Sequence, residues 1–267
     1  ENNQLPPMIR RLKKDVTKDL PLKTETNVDR YMPEIQAHAY HEALTFLREG
    51  NSSKQKMQGF QDMRRISLHP LSPEHATTSA DEYIKQSARL VALFELLDKI
   101  YEKGEKALVF VESINMHQWL SVYIETRYNM SHKPDRIFGS VSAQSRQAIV
   151  DRFQDQTNTG FDPLLLSPKA AGVGLTLTAA THVIHLTRWW NPAVEDQCTD
   201  RAYRIGQTND VYVYYIRALH PTYGESSFDG VLDQLLKSKR ALASGVLAPF
   251  NENESIDAII DQLTKSD

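Results

Sequence analysis

The 267 residues include a single cysteine, Cys198, so no internal disulfide can form. The nine histidines are scattered, and no Cys/His group has the spacing of a zinc site. Pairs such as His38/His41 read as helix-surface residues rather than ligands. No apolar run approaches the roughly 18 residues that a membrane helix needs, and no signal-peptide pattern opens the chain. These absences fit a reducing, cytosol-like compartment. A phosphate cradle is also missing. None of the eleven glycines belongs to a Gly-x-x-x-x-Gly-Lys-[Ser/Thr] run, and Asp81-Glu82 opens a helix with no histidine to complete an acidic box. Nothing in the chain is patterned to hold a triphosphate and its Mg²⁺. A strong positive balance is lacking as well. The formal charge is −3, so bulk charge does not advertise nucleic acid, and any such surface must be local.

With 40% hydrophobic and 24% charged residues, the chain has the balance of a soluble globular protein. Its length suits one large domain, or one domain with an appendage, and can bury a core without staples. It opens on Glu1 rather than Met, as an excised fragment would.

Residues 1–30 are polar and basic, with Arg10, Arg11, Lys13, Lys14 and Lys18 ahead of Leu20-Pro21, and read as a solvated connector. Residues 31–80 are helical in pattern. Ile35, Ala39, Ala43, Leu44 and Leu47 recur at helical spacing and Gly50 closes the run; a second helix carries Met57, Phe60 and Met63. A loop rich in Pro, Ser and Thr follows, from His69 to Ser79.

Between residues 81 and 220 the texture changes to strand–helix alternation. A helix is predicted from Asp81 to Glu102. Strands are predicted at Ala107–Val111, Arg136–Phe138, Pro163–Leu166, Val183–Leu186 and Val211–Ile216, and helices at His117–Arg127, Ser142–Phe153 and Pro192–Arg204. The pattern predicts an α/β fold with a parallel sheet covered on both faces and ligands met at the carboxyl ends of the strands. One more helix, within residues 221–250, begins at Phe228, and residues 251–267 form an acidic, weakly periodic tail.

Asn191 to Thr208, NPAVEDQCTDRAYRIGQT, is the most informative stretch. Asn191 is a good N-cap, Pro192 suits the first helical position, and Gly206 suits the stop. On a continuous helix, Gln197, Arg201 and Arg204 at i, i+4 and i+7 share one face. Two planar guanidiniums and an amide would then present a surface matched to phosphate oxygens. A solvated or internally paired face is the competing interpretation.

This segment closely resembles the last motif of superfamily 2 helicases, and Asp200-Arg201-Ala202-Tyr203-Arg204-Ile205-Gly206-Gln207 is close to its Swi/Snf form. Other segments are similar to further motifs of that family. Ser167 to Leu177, with Lys169, Gly172 and Gly174, resembles the loop that touches nucleotide and DNA backbone, although Thr176 stands where the family commonly has Asn. Arg188-Trp189-Trp190-Asn191-Pro192 resembles the Trp-Asn-Pro segment near the DNA path, and Arg136 to Phe153 resembles the motif that holds a DNA phosphate. Met8–Lys13 through Pro21 resembles the connector from a first motor lobe, Asp62–Pro70 a helical protrusion, and the last helix a brace.

The resemblance implies the C-terminal RecA-like lobe of an ATP-dependent double-stranded DNA translocase, inactive alone. Arg201 and Arg204 would be arginine fingers. Gln197, Gly172 and Gly174 would face the nucleotide. Ser140, Lys169, Trp190 and Arg146 would face DNA, with Trp190 equally readable as packing and Arg146 as a structural ion-pair residue. ATP and Mg²⁺ would be held mainly by an N-terminal RecA-like lobe of the same protein. Partners would be that lobe, duplex DNA and a DNA-bound protein complex, in a bacterial cytoplasm or a eukaryotic nucleus. Compact spacing favours a prokaryotic member, and anti-phage defence is among the family's roles. Alternatives are the lobe of a strand-separating helicase and a degenerate motor fold serving as a protein-binding adaptor.

Overall fold

The computed structural model describes residues 20–76, 78–172, 174–243 and 252–265. Six parallel strands form one sheet: β1 Lys23–Tyr31, β2 Lys106–Phe110, β3 Arg136–Ile137, β4 Asp162–Leu166, β5 His182–His185 and β6 Val211–Leu219, in the order β1-β6-β5-β2-β4-β3. The helices are α1 Glu34–Glu49, α2 Ser53–Leu68, α3 Ala80–Lys85, α4 Ala88–Lys103, α5 Ile114–Arg127, α6 Ala143–Gln154, α7 Pro192–Thr199, α8 Phe228–Ala243 and α9 Glu252–Lys265. This is the parallel α/β sheet that the alternation predicts, in the RecA-like form that the resemblance implies.

Strands β2, β4 and β5 are buried along their whole length, so alternate residues feed two cores. On one face Ala107, Val109, Leu165, Ile184 and Ile216 pack under α4 and α5. On the other, Leu108, Phe110, Leu164, Leu166, Val183 and Val213 meet Phe153 of α6, Cys198 of α7, and Leu175 and Leu177 of the strap between β4 and β5. A third core lies beyond the sheet. There Tyr40, Leu47, Phe60 and Met63 of the α1–α2 hairpin enclose Trp189, Trp190, Phe228, Leu232 and Leu236, with Ile256, Ile259, Ile260 and Leu263 of α9 closing it.

Several elements differ from the sequence expectations. Residues 23–31 are not a linker but the edge strand β1, paired with β6 over nine residues. All of β1 except the half-buried Val28 is exposed, so its sequence, KTETNVDRY, carries no apolar alternation. The helix expected over Asp81–Glu102 is two helices. Ser87 caps the second by accepting from Leu90 N and donates its own hydroxyl to Leu68 O at 2.6 Å, which pins the break to the protrusion. The tail forms helix α9, burying Ile256, Ile259, Ile260 and Leu263. Helix α7 ends at Thr199, not Arg204. The basic cluster Arg10–Lys18 and the Met8–Lys13 resemblance lie outside the described residues.

Three buried histidines are held neutral by where they sit. His69 donates from Nε2 to Tyr83 O at 2.8 Å and accepts at Nδ1 from Leu71 N at 2.9 Å, so a second ring proton would face an amide hydrogen. His117 donates to Val111 O at 2.7 Å, and His185 lies between Phe110 and Tyr215. Burial pushes each down to about 4. The unfolded chain therefore binds more protons than the folded one between about pH 6.5 and 4, and stability falls as pH falls through that window. Urea denaturation at pH 7 and pH 5 should show this loss. His117→Gln should lower stability at pH 7 and reduce the difference between the two pH values; an unchanged difference contradicts the assignment of His117.

Candidate functional site

The sheet order places the loops after β5, β2, β4 and β3 side by side along the carboxyl edge. The loop after β5 carries Trp189 and Trp190, the one after β4 carries Lys169, and the one after β3 carries Ser140. The two indoles stack with centroids 4.3 Å apart. Lys169 Nζ lies 5.3 Å from the Trp189 ring, and Arg64 of α2 sits 4.1 Å over Trp190 and pairs with Glu112 after β2. This cation–aromatic stack joins the protrusion to the carboxyl edge. Lys169 and Ser140 are exposed there. Arg146 is half-buried and donates to Val141 O at 3.0 Å, so it secures the loop ahead of α6. Trp190 is buried against Phe60, with little of its ring left for a ligand.

The arginine segment is elsewhere, along the strap that returns from the carboxyl end of β4 to the amino end of β5. Because α7 stops at Thr199, Arg201 and Arg204 lie in the turn behind it rather than on a continuous helical face with Gln197. Gly206, at φ +100°, takes the left-handed backbone that closes this turn. Arg201 is buried and donates to Gln197 O at 3.1 Å and Leu175 O at 3.2 Å, whereas Arg204 is exposed with Nη1 3.5 Å from Gly174 O. Gln197 is exposed. Burial and the neighbouring positive charge of Arg204 push the Arg201 guanidinium down from its ordinary value. Two like charges thus lie together on neutral carbonyls, a surface that an anion would relieve. Gly174, at φ +65°, sits in the strap directly beneath them, and Gly172 ends the short helical turn Pro168–Gly172.

Gln207 is a residue that motif reasoning left without a role. It is buried, donates to Thr178 O, Ala180 O and Ala202 O at 3.0–3.2 Å, and accepts from Thr208 N and Asn209 N. A single amide thereby ties the arginine turn to the strap. Its place directly after Gly206 was the available signal.

Behind the turn, α7 is held by buried charge. Glu195 accepts from Arg188 at 2.7 and 3.1 Å and from Trp189 N at 3.0 Å. Arg188 also reaches Asp233 of α8 at 3.0 Å, and Asp233 meets Arg217 of β6 at 3.3 Å. Burial pushes the Glu195 carboxyl up, but the Arg188 guanidinium outweighs it and holds the group below the usual carboxylate range.

The helicase conserved C-terminal domain model matches residues 88–206. The chain is 34% identical over 263 residues to Zorya protein ZorD of Escherichia coli, covering 91% of this chain and 23% of that protein. It is 33% identical to the DNA repair and recombination protein RAD26 of Saccharomyces cerevisiae, over 78% of this chain and 20% of that one. The Sulfolobus solfataricus SWI2/SNF2 ATPase core in complex with dsDNA superposes with a TM-score of 0.67 at 28% identity, over 93% of this chain and 52% of that one. Fold and site define a helicase-type C-terminal motor lobe. Along most of its length the chain is similar to Swi/Snf-type proteins, and it spans about a fifth of the length of the curated relatives named here.

Glu195→Gln leaves Arg188 buried without its full counter-charge, and breaking a buried pair costs about 3–5 kcal/mol. Because its folded pKa is depressed, the stabilisation by Glu195 is present above the unfolded carboxylate pKa and is lost as pH falls through the folded one. Denaturant melts should show Glu195→Gln destabilised at pH 7, with a smaller further loss towards pH 3 than in the parent chain.

Proposed function

We propose that this lobe completes the ATP site of a double-stranded DNA translocase, with Arg204 and Arg201 stabilising charge on the transferring phosphoryl group. The observation that carries the reading is the arginine turn: an exposed guanidinium beside a buried one, with main-chain carbonyls as hydrogen-bond partners. The turn also lies where the chain enters the sheet. Tyr203 donates to Pro21 O at 3.1 Å and Lys23 sits 5.7 Å from its ring, so the start of β1 lies beside the arginine turn.

The residues present fit one half of a nucleotide site. Among the described residues no three His, Cys, Asp or Glu side chains are grouped to hold a metal ion, and the sequence has no phosphate-binding loop. The triphosphate and Mg²⁺ would be held by the preceding lobe, and this chain would supply fixed guanidinium donors, Gln197, and the backbone at Gly172 and Gly174. Guanidinium forks need no reorganisation as phosphoryl charge develops, and fingers of this kind are worth roughly 10³–10⁵ in rate. On the carboxyl edge, Lys169, Ser140 and the backbone at the start of α6 would contact phosphates of duplex DNA, which gives salt-sensitive binding with little sequence preference. Arg146 would act indirectly by holding its loop, and Trp190 by supporting Lys169 through the indole stack.

On this reading the chain alone hydrolyses no ATP. In the full-length protein, Arg204→Ala should lower ATP turnover by at least about 10³-fold while leaving nucleotide affinity within a few-fold, measured by steady-state kinetics and nucleotide titration. Arg204→Lys should not restore it, because a point charge lacks the fork. Turnover retained in Arg204→Ala refutes the role.

A further inference from the structure

Helix α7 has eight residues, too few to hold its own orientation without tertiary contacts. One end is pinned to the sheet through Glu195, which takes Arg188 and Trp189 N. The inward side is seated as well, by Cys198 in the sheet core and by Thr199 Oγ1 at 3.1 Å from His185 Nε2. A further hold, on the outward side, comes from α8. Arg240 donates from Nη2 to Glu195 Oε2 at 3.0 Å and to Asp196 Oδ1 at 2.9 Å, and from Nε to Asp196 Oδ1 at 3.1 Å. Consecutive residues project about 100° apart around a helix. One planar guanidinium bridging both carboxylates therefore resists rotation of α7, where a contact to either alone would not. Rotation would carry Gln197 with it and swing the turn that bears Arg201 and Arg204 across the strap.

We propose that Arg240 is a positioning residue for nucleotide hydrolysis, clamping α7 so that the arginine turn holds its pitch. The α8 helix itself is anchored independently of α7, through Arg89–Asp229, Arg188–Asp233 and Arg217–Asp233. Loss of the Arg240 contacts therefore loosens the outward side of α7 without releasing α8. The inference rests on the reading of Arg201 and Arg204 given above, and its mechanical part does not depend on that reading.

The test uses the full-length protein and measures ATP turnover alongside hydrogen–deuterium exchange over residues 192–206. Arg240→Ala should raise exchange in that segment and lower kcat roughly tenfold with KM for ATP within about twofold, as misplacement of a group that acts on the transition state does. Arg240→Lys should fall nearly as far, because an ammonium cannot bridge both carboxylates in the plane of a fork. Asp196→Asn alone should give part of the loss, and adding it to Arg240→Ala should give none, since both act through one contact. If Arg240→Ala does not fold, the exposed Asp196→Asn carries the same comparison. Unchanged exchange over residues 192–206, or losses that add in the double variant, overturn the clamp. Raised exchange with undiminished kcat, while Arg204→Ala abolishes turnover, overturns positioning and leaves the arginine role intact. Raised exchange with full turnover in both Arg240→Ala and Arg204→Ala sinks the arginine role, and positioning with it.

Discussion

The pair between Arg188 and Glu195 is the junction on which the molecule turns. Both side chains are essentially inaccessible, and taking two ions out of water costs several kcal/mol each before their attraction repays it. The repayment here is complete in geometry. The guanidinium is shared between Glu195 and Asp233, the carboxylate takes a main-chain amide as well, and Arg188 lies 4.5 Å over the Tyr215 ring. Four elements converge on it: the loop after β5, helix α7, helix α8 and strand β6. A hydrophobic substitute of equal volume could fill the space, but it would not specify which helix lies against which strand end.

On the proposed function, that junction lets two surfaces with different tasks share one rigid body. The carboxyl edge gathers loops from four adjacent strands, while the arginine turn lies along the strap towards the opposite end of β5. Helix α7 runs between them. Its first residues follow the indole pair directly, and the arginine turn follows its last. A displacement at one end is transmitted over a two-turn helix rather than through a long, compliant path. Coupling between DNA held at the edge and a nucleotide at the flank would need nothing more elaborate.

Much of this was legible from the sequence, and the failures have physical causes. Strands β2, β4 and β5 are buried on both faces and show as short apolar runs, so their order along the chain was plain. Strand β1 was not, because a solvated edge strand buries no stripe to read. The break at Gln86-Ser87 was masked because apolar spacing continues across it; what fixes it is the Ser87 cap on Leu90 N together with the hydrogen bond from Ser87 to Leu68, distant in sequence. Helix α9 hid behind its acidic surface, although four buried aliphatic residues stood at helical spacing. In the site, residue identity was readable and orientation was not. Arg201 and Arg204 could be singled out by pattern, yet the end of α7 at Thr199, and the strap carbonyls that receive both guanidiniums, are set by contacts thirty residues upstream.

The stacked indoles have an optical consequence. Two of the chain's three tryptophans, Trp189 and Trp190, lie against the Arg64 guanidinium that fastens the α1–α2 hairpin to the sheet. Their emission is governed by the charge and packing at that joint, so the seat of the hairpin carries its own chromophore. Swinging of the hairpin would be recorded as a change in ultraviolet fluorescence, with no label attached.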